Sequence, residues 1–435
     1  LMGFFLNILI CEKDFIWKSK VEAVMKTIVL GAGLAGVTTA WYLAGTGRQV
    51  TVIDRQKLAA SETSYANAGM IAPGHAYTWA SPRAPGILWR SLRDDSQALL
   101  LRPSLDLNMW LWLWKFLRNC SAQKARENTS RKLLLCRYSQ SELHVLTQQL
   151  NLQYELLSTG ALYLYRDEAS LKRGIENMQI LVDGGMPLRS ISRDEAVQLE
   201  PALAYSSFAG AILSPSDESG DARMFTRNLA AECAVAGVQF LMSTHIQHIK
   251  SEGDRIVAVQ TDQGAIEGDE YVLALGCDSP LIARELGYSL PIYPVKGYSV
   301  TFAIRDADTA PSMSGVDEQA LVAWARYGNR LRLTSTAEFT GYDRSHTPTD
   351  FAPMLKVARR LFPNGADYER PDYWAGLRPM TPEGLPILGK SRHRNLYLNT
   401  GHGHMGWTMA CGTARIVADI MDGRQPEIDI TGMTL

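Results

Sequence analysis

Between Thr27 and Asp54 the chain spells a buried strand, a glycine-rich turn, a helix, a second strand and a terminal acid. Few folds accommodate that order. Thr27 to Leu30 is an apolar β-type run, Gly31-Ala32-Gly33-Leu34-Ala35-Gly36 follows, Val37 to Leu43 continues with helical character, and Thr51 to Ile53 leads into Asp54. The glycines serve distinct physical ends, since Gly31 permits the tight turn, Gly33 lets a pyrophosphate approach the backbone, and Gly36 allows close helix–sheet packing. The helix start, with Leu34 and Ala35, offers unpaired N–H groups and partial positive charge to that pyrophosphate. Asp54 is placed to accept hydrogen bonds from a ribose and repels a 2′-phosphate. A glycine-rich turn without a ligand is the plainer reading, but here every neighbouring element of a dinucleotide site is present.

The sequence after Asp54 separates the dinucleotides. A nicotinamide enzyme is expected to continue with strand and helix units. Instead Arg55 is followed by Ser61-Glu62-Thr63-Ser64-Tyr65-Ala66-Asn67-Ala68-Gly69-Met70, a polar, small-residue loop suited to a phosphate and the edge of a ring, which favours FAD. Downstream, Ala222 to Ala236 has helical period, and Val238 to Leu241, Ile256 to Thr261 and Tyr271 to Leu275 read as strands, the last ending at Gly276. Gly160 to Tyr165, Ala209 to Leu213, Tyr298 to Ile304 and Leu321 to Arg326 alternate like strands of another sheet. The expected class is mixed α/β. A Rossmann-like FAD-binding domain is assembled from the discontinuous segments 25–90, 215–290 and 375–430, with a β-sheet substrate domain from 91–214 and 291–374.

Composition narrows the function. The 44 Lys and Arg balance 45 Asp and Glu, which argues against a protein built to neutralise nucleic-acid phosphates. Six scattered cysteines form no CxxC pair and no metal-spaced cluster, so reduced, mostly buried thiols and no metal are expected. Residues 1–24 read as an extension outside the fold, either translated upstream sequence or a weak membrane-touching arm, since the apolar run Phe4 to Ile10 is too short to span a bilayer. Trp110-Leu111-Trp112-Leu113-Trp114 with Phe116 fits either an interfacial membrane contact or a buried helix.

The last quarter holds a second constellation. Trp374 to Pro386 reads as a Gly/Pro-rich loop exposing Arg378 beside Gly376. Leu396 to Asn399 reads as a strand, followed by Gly401-His402-Gly403-His404-Met405-Gly406-Trp407 and helical spacing from Thr408 to Met421. A glycine-rich turn opening a helix makes another anion-stabilising end, suited to the flavin ring.

Taken together, these words resemble a known family. Val29 to Gly33, Val52 to Gln56, Glu62 to Gly69, Tyr293-Pro294-Val295-Lys296-Gly297-Tyr298-Ser299, Gly376 to Pro382, Asn399 to Gly403 and Gly406 to Gly412 recur in that order. From Met25 to about Asp429 the chain resembles the bacterial FAD-dependent D-amino-acid dehydrogenases of the small-subunit type, within the D-amino-acid oxidase and glycine oxidase superfamily. The resemblance implies the D-amino-acid oxidase fold, non-covalent FAD and oxidative deamination of D-amino acids to 2-oxo acids and ammonia. It assigns Arg378 to the substrate carboxylate, Ile246 to backbone contact with adenine, and Gly401 to Gly406 to the flavin ring. His75, Tyr298 and Gly403 complete the expected substrate contacts, while His402 and His404 read as part of the turn rather than as proton carriers. The mechanism implied is hydride transfer from Cα to the flavin, with no acid/base side chain. Electrons are then expected to pass to a membrane quinone or other acceptor rather than mainly to O2, from a cytoplasmic protein with open peripheral contact to the inner face of the cell membrane. A secondary-amine dehydrogenase acting on D-proline, hydroxy-D-proline or sarcosine, and a non-catalytic flavin-binding subunit, stay open as alternatives.

Overall fold

The computed structural model describes residues 24–91, 99–102 and 104–435. Apart from Val24, the expected extension 1–24 lies outside them. The run Lys26–Leu30 is buried at four of its five positions, the pattern of a strand covered on both faces, and it sits inside a six-stranded sheet. The sheet order is Ile387–Lys390, Leu396–Thr400, Glu270–Leu273, Lys26–Leu30, Gln49–Ile53 and Gln239–Leu241. All neighbours run parallel except Ile387–Lys390, an antiparallel edge. Helices Leu34–Ala44, Ala222–Val235 and Gly406–Met421 share its core cluster. The last is buried on nearly every side because helix Ala122–Leu150 packs on its outer face.

A second, nine-stranded sheet runs in the order Asp372–Met380, Tyr293–Ala303, Arg330–Phe339, Val322–Tyr327, Ser314–Asp317, Ala161–Tyr165, Gly210–Ser214 and Arg189–Ser192, with Leu99–Leu101 pairing on Arg330–Phe339. Its separate core contains Val300, Trp324, Leu331, Phe351 and Phe362. The two sheets are sewn together by a short ladder between Met70–Ile71 and Glu218–Ser219.

One expectation needs correction and two are sharpened. The segment Trp374 to Pro386 is not a loop throughout: Asp372–Met380 is a strand, registered with Arg378 opposite Val295 and Pro379 opposite Pro294. It lies at the sheet edge, where a proline removes no necessary ladder bond. Of the strands expected there, Gln239–Leu241 and Glu270–Leu273 belong to the parallel sheet, whereas Arg255–Thr261 joins Ile246–Glu252 and Gly264–Ile266 in a separate three-stranded sheet. Ile246–Glu252 hid from the periodicity because only Ile249 is buried. The aromatic run forms helix Leu107–Arg118, which divides its residues: Met109, Trp112, Leu113 and Phe116 are buried, while Trp110, Leu111, Trp114 and Leu117 are exposed. Cys120, Cys136, Cys233, Cys277 and Cys411 are buried free thiols.

Candidate active site

The glycine turn sits where the first strand hands over to its helix. Gly31 has φ +109° and donates its N–H to Ile53 O at 2.8 Å. A Cβ on Gly36 would lie 1.8 Å from Gly31 O, so helix and turn touch backbone to backbone. Helix Leu34–Ala44 starts at Gly33 without a side-chain cap and has no acid in its first turn, which leaves its N-terminus open to an anion. Ser64 Oγ accepts from Leu34 N at 3.2 Å. Asp54 takes Ala32 N on one oxygen (2.7 Å) and Gln56 N on the other (2.8 Å), and burial raises its pKa. A carboxylate offers about four acceptor sites, so ribose hydroxyls can still be met. Arg55 is steered by ion pairs to Glu62 (2.9 Å) and Asp278 (2.8 Å).

The following loop is pinned from the other sheet. Tyr327 donates its hydroxyl to Ala68 O at 2.8 Å, Arg332 reaches Asn67 O at 3.4 Å, and Asn67 Oδ1 accepts from Gly69 N at 2.9 Å. Gly69 has φ +69°, and a Cβ there would fall 1.7 Å from Tyr327 Oη. Any other residue would displace the loop.

Helix Gly406–Met421 supplies a second open end: its N-cap Met405 gives no side-chain cap and its first turn carries no acid. Both helix starts border one cavity of about 1780 Å³, larger than the roughly 300–1,000 Å³ of a small-ligand site. Arg378 faces this cavity. Its guanidinium lies against Gly297, where a Cβ would come within 2.1 Å of it, and donates to Thr336 O (2.7 Å) and Lys296 O (3.4 Å). Burial lowers its pKa to about 10, and no carboxylate pairs with it among the described residues. Lys132, 1% exposed, touches Tyr77 O at 3.5 Å, and burial lowers its ammonium to about 8. His404 stacks on Trp79 with centroids 4.8 Å apart. Burial, then Lys132, His75 and Arg378, hold its pKa well below the usual value, so it is neutral near pH 7. His402 is kept neutral by burial and meets Thr413 Oγ1 at 2.9 Å, a contact internal to the turn and helix.

Of the residues singled out in the sequence, Gly31, Gly33, Leu34, Ala35, Asp54, Arg55, Ser61, Ser64, Asn67, Ala68, Gly69, Met70, His75, Ile246, Gly276, Tyr298, Gly376, Arg378, Gly403, His404, Met405, Gly406 and Trp407 border the cavity. Gly36 does not, being taken up by packing. Tyr298 borders it but spends its hydroxyl on Glu338 (2.6 Å) and its ring on Phe351, inside the second core. Ser61 Oγ donates to Leu58 O at 2.7 Å. Sequence reasoning missed Tyr77, Trp79, Glu318 and Thr336 on the wall, and Lys132 behind it. Lys132 left a trace: it shares a helix stripe with buried Leu135, Cys136 and Ser139.

Two open helix starts, an acid ending the second strand and a cation-lined end suit a dinucleotide whose pyrophosphate and ring both carry or acquire negative charge. That is the pattern FAD requires. Comparison with known proteins agrees. Residues 26–420 match the family described as DAO, FAD dependent oxidoreductase. The chain is 44% identical over 412 residues to D-amino acid dehydrogenase 2 of Mesorhizobium japonicum, covering 94% of this chain and 99% of that one. It is 43% identical over 415 residues to the D-amino acid dehydrogenase of Bradyrhizobium diazoefficiens, covering 94% and 98%. In fold it is similar to glycine oxidase from Geobacillus kaustophilus (TM-score 0.72, 22% identity, 95% and 99% covered) and to L-proline dehydrogenase from P. horikoshii (TM-score 0.71, 19% identity, 94% and 96% covered). The glycine turn, its partner helix and the cavity-facing arginine therefore belong to an enzyme that uses FAD, and the chain is a member of the DAO family of FAD dependent oxidoreductases.

Proposed function

We propose that this enzyme oxidises D-amino acids to 2-oxo acids and ammonia, and that Arg378 clamps the substrate carboxylate. The observation that carries the reading is the state of Arg378: a deeply placed cation, lying against a glycine, held among the described residues by main-chain carbonyls alone and turned to the cavity. A planar guanidinium with free N–H groups in such a place suits a bidentate anion. The names of the relatives, D-amino acid dehydrogenases at 43–44% identity, support an amino acid as that anion.

Bound FAD would supply the two-electron acceptor, held by the two helix starts, Asp54 and the loop Asn67–Met70. The chain's own contribution is placement. Arg378, oriented by its own bond to Thr336 O, fixes the carboxylate end, so that the Cα–H of one enantiomer is presented. Neutral His404 and Trp79 close the wall without adding a charge that would compete for the carboxylate. Lys132 and the N-terminus of Gly406–Met421 would add positive potential at the end of the cavity where bound FAD gains negative charge.

Electrons leave to a quinone or another carrier rather than mainly to O2, with the protein resting peripherally on the inner face of the cell membrane. Exposed Trp110, Leu111 and Trp114 beside Lys115 and Arg118 support this, as an aromatic and basic rim suits a lipid interface. Among the described residues no helix is long and apolar enough to cross a membrane. The deciding experiment is anaerobic mixing of FAD-loaded protein with panels of D-amino acids, L-amino acids, D-proline and sarcosine while flavin absorbance is followed. Bleaching by D-amino acids is expected; bleaching confined to the secondary amines, or none, overturns the proposal.

A further inference from the structure

The cavity that Arg378 faces also carries an acid with no part in the reaction proposed above. Glu318, with its side chain 13% exposed, lines the cavity. Its Oε1 lies 2.9 Å from His75 Nε2 and accepts from the Tyr77 hydroxyl at 3.4 Å, while that hydroxyl lies 2.6 Å from Nε2. The other carboxylate oxygen takes no hydrogen bond from the described residues. The cluster is built rather than incidental: His75 stacks on Tyr163 with centroids 5.0 Å apart, Tyr163 donates to Asp217 Oδ2 at 2.5 Å, and Asp217 Oδ1 accepts from Gly74 N at 2.8 Å.

Sheet register gives the backbone spacing between this acid and the strand that Arg378 meets. The guanidinium meets the sheet at Thr336 on strand Arg330–Phe339. Thr334 pairs with Ala323 and Val322 with Asp317, so Thr336 and Glu318, the first residue of the turn after Asp317, follow these pairs at the same end of the sheet, two strands apart. Two inter-strand spacings amount to about 10 Å. A side-chain cation about 6 Å beyond Cα, with a hydrogen-bonded contact at each end, spans that gap.

We infer that Glu318, buttressed by His75 and Tyr77, is a specificity residue that receives the terminal cation of a D-amino acid with a side chain of lysine or arginine length. The inference rests on Arg378 as the carboxylate clamp. A half-buried carboxylate with a spare oxygen gains a charge-assisted hydrogen bond from such a substrate and stays unpaired with an aliphatic one.

The test compares molecules that differ in the terminal charge alone. Binding of 6-aminohexanoate and hexanoate to FAD-loaded protein is read from the flavin spectrum, and kcat/KM is measured anaerobically for D-lysine and D-norleucine. The wild-type protein is expected to prefer each cationic member at least tenfold, and Glu318→Gln should reduce both ratios at least tenfold. Equal binding of the two acids by the wild type overturns the inference alone, with no variant needed, and so does an equal loss on both substrates in Glu318→Gln. If neither acid binds and D-norleucine does not bleach the flavin, the clamp fails and this inference falls with it.

Discussion

Replacing Arg378 with methionine sets two effects of opposite sign against each other. Its guanidinium sits at about 10, a displacement that opposes the charged form by up to about 3 kcal/mol at roughly 1.4 kcal/mol per pKa unit. Because the folded state disfavours the charge, that penalty is present at neutral pH and fades only as pH rises through 10. Methionine removes it while keeping much of the side-chain volume. It also leaves Thr336 O without its donor, which costs about 1–3 kcal/mol. The two nearly cancel, so stability should change by no more than about 1–2 kcal/mol. Substrate binding has no such offset. Two hydrogen bonds from a charged donor to a carboxylate contribute about 1.5–3 kcal/mol each, so KM for a D-amino acid should rise by roughly 10²- to 10⁴-fold. The assays are thermal unfolding of FAD-saturated protein and anaerobic flavin bleaching over a range of substrate concentrations. A protein that loses more than about 3 kcal/mol of stability while its KM moves less than tenfold would make Arg378 a strut for its own strand and refute the clamp.

The same geometry sets three other outcomes. Gly69→Ala, which brings a methyl to 1.7 Å from Tyr327 Oη at φ +69°, should weaken FAD binding at least tenfold by fluorescence titration, with unchanged affinity refuting the loop's role in holding the cofactor. Burial raises the pKa of Asp217 to about 6, so its contribution is fully present below pH 4 and lost as pH rises through 6; relative to Asp217→Asn, the wild type should lose about 3 kcal/mol over that window in urea titrations. A pH-independent difference would remove Asp217 as a buried titrating group. Changing exposed Trp110 and Trp114 to Ser, while leaving Trp112 with its Nε1 bond to Met380 O (2.8 Å), should abolish co-sedimentation with anionic vesicles and leave thermal stability within about 0.5 kcal/mol. Unchanged sedimentation would refute the membrane contact.

The parts of this molecule that were legible in sequence are those whose physics is local. Gly31, Gly36 and Asp54 lie within one strand–helix–strand unit, and the turn before Gly406–Met421 is likewise contiguous. Strand Asp372–Met380 was hidden because Gly376 and Pro379 carry the composition of a loop, and only its edge position makes them harmless. Ile246–Glu252 was hidden because it buries one side chain. The aromatic helix was ambiguous for a physical reason, since it presents apolar residues to both core and exterior. Glu318 left no local mark at all. It borders the same cavity as Arg378 through strand pairing across three strands, which no spacing in the chain records.

The strand Lys26–Leu30 lies between Gln49–Ile53 and Glu270–Leu273, and the latter in turn waits for Leu396–Thr400. On a ribosome adding about 5–20 residues per second, the interval between the first strand and its second neighbour is on the order of 10–50 s. For that time one edge of a flat, apolar strand pair has no partner, which makes the nascent chain a client for holding chaperones and exposes it to edge-to-edge association. Helix Gly406–Met421, which completes the cofactor end of the cavity, follows later still. The cavity that both helix starts border is thus complete only after this helix has been made.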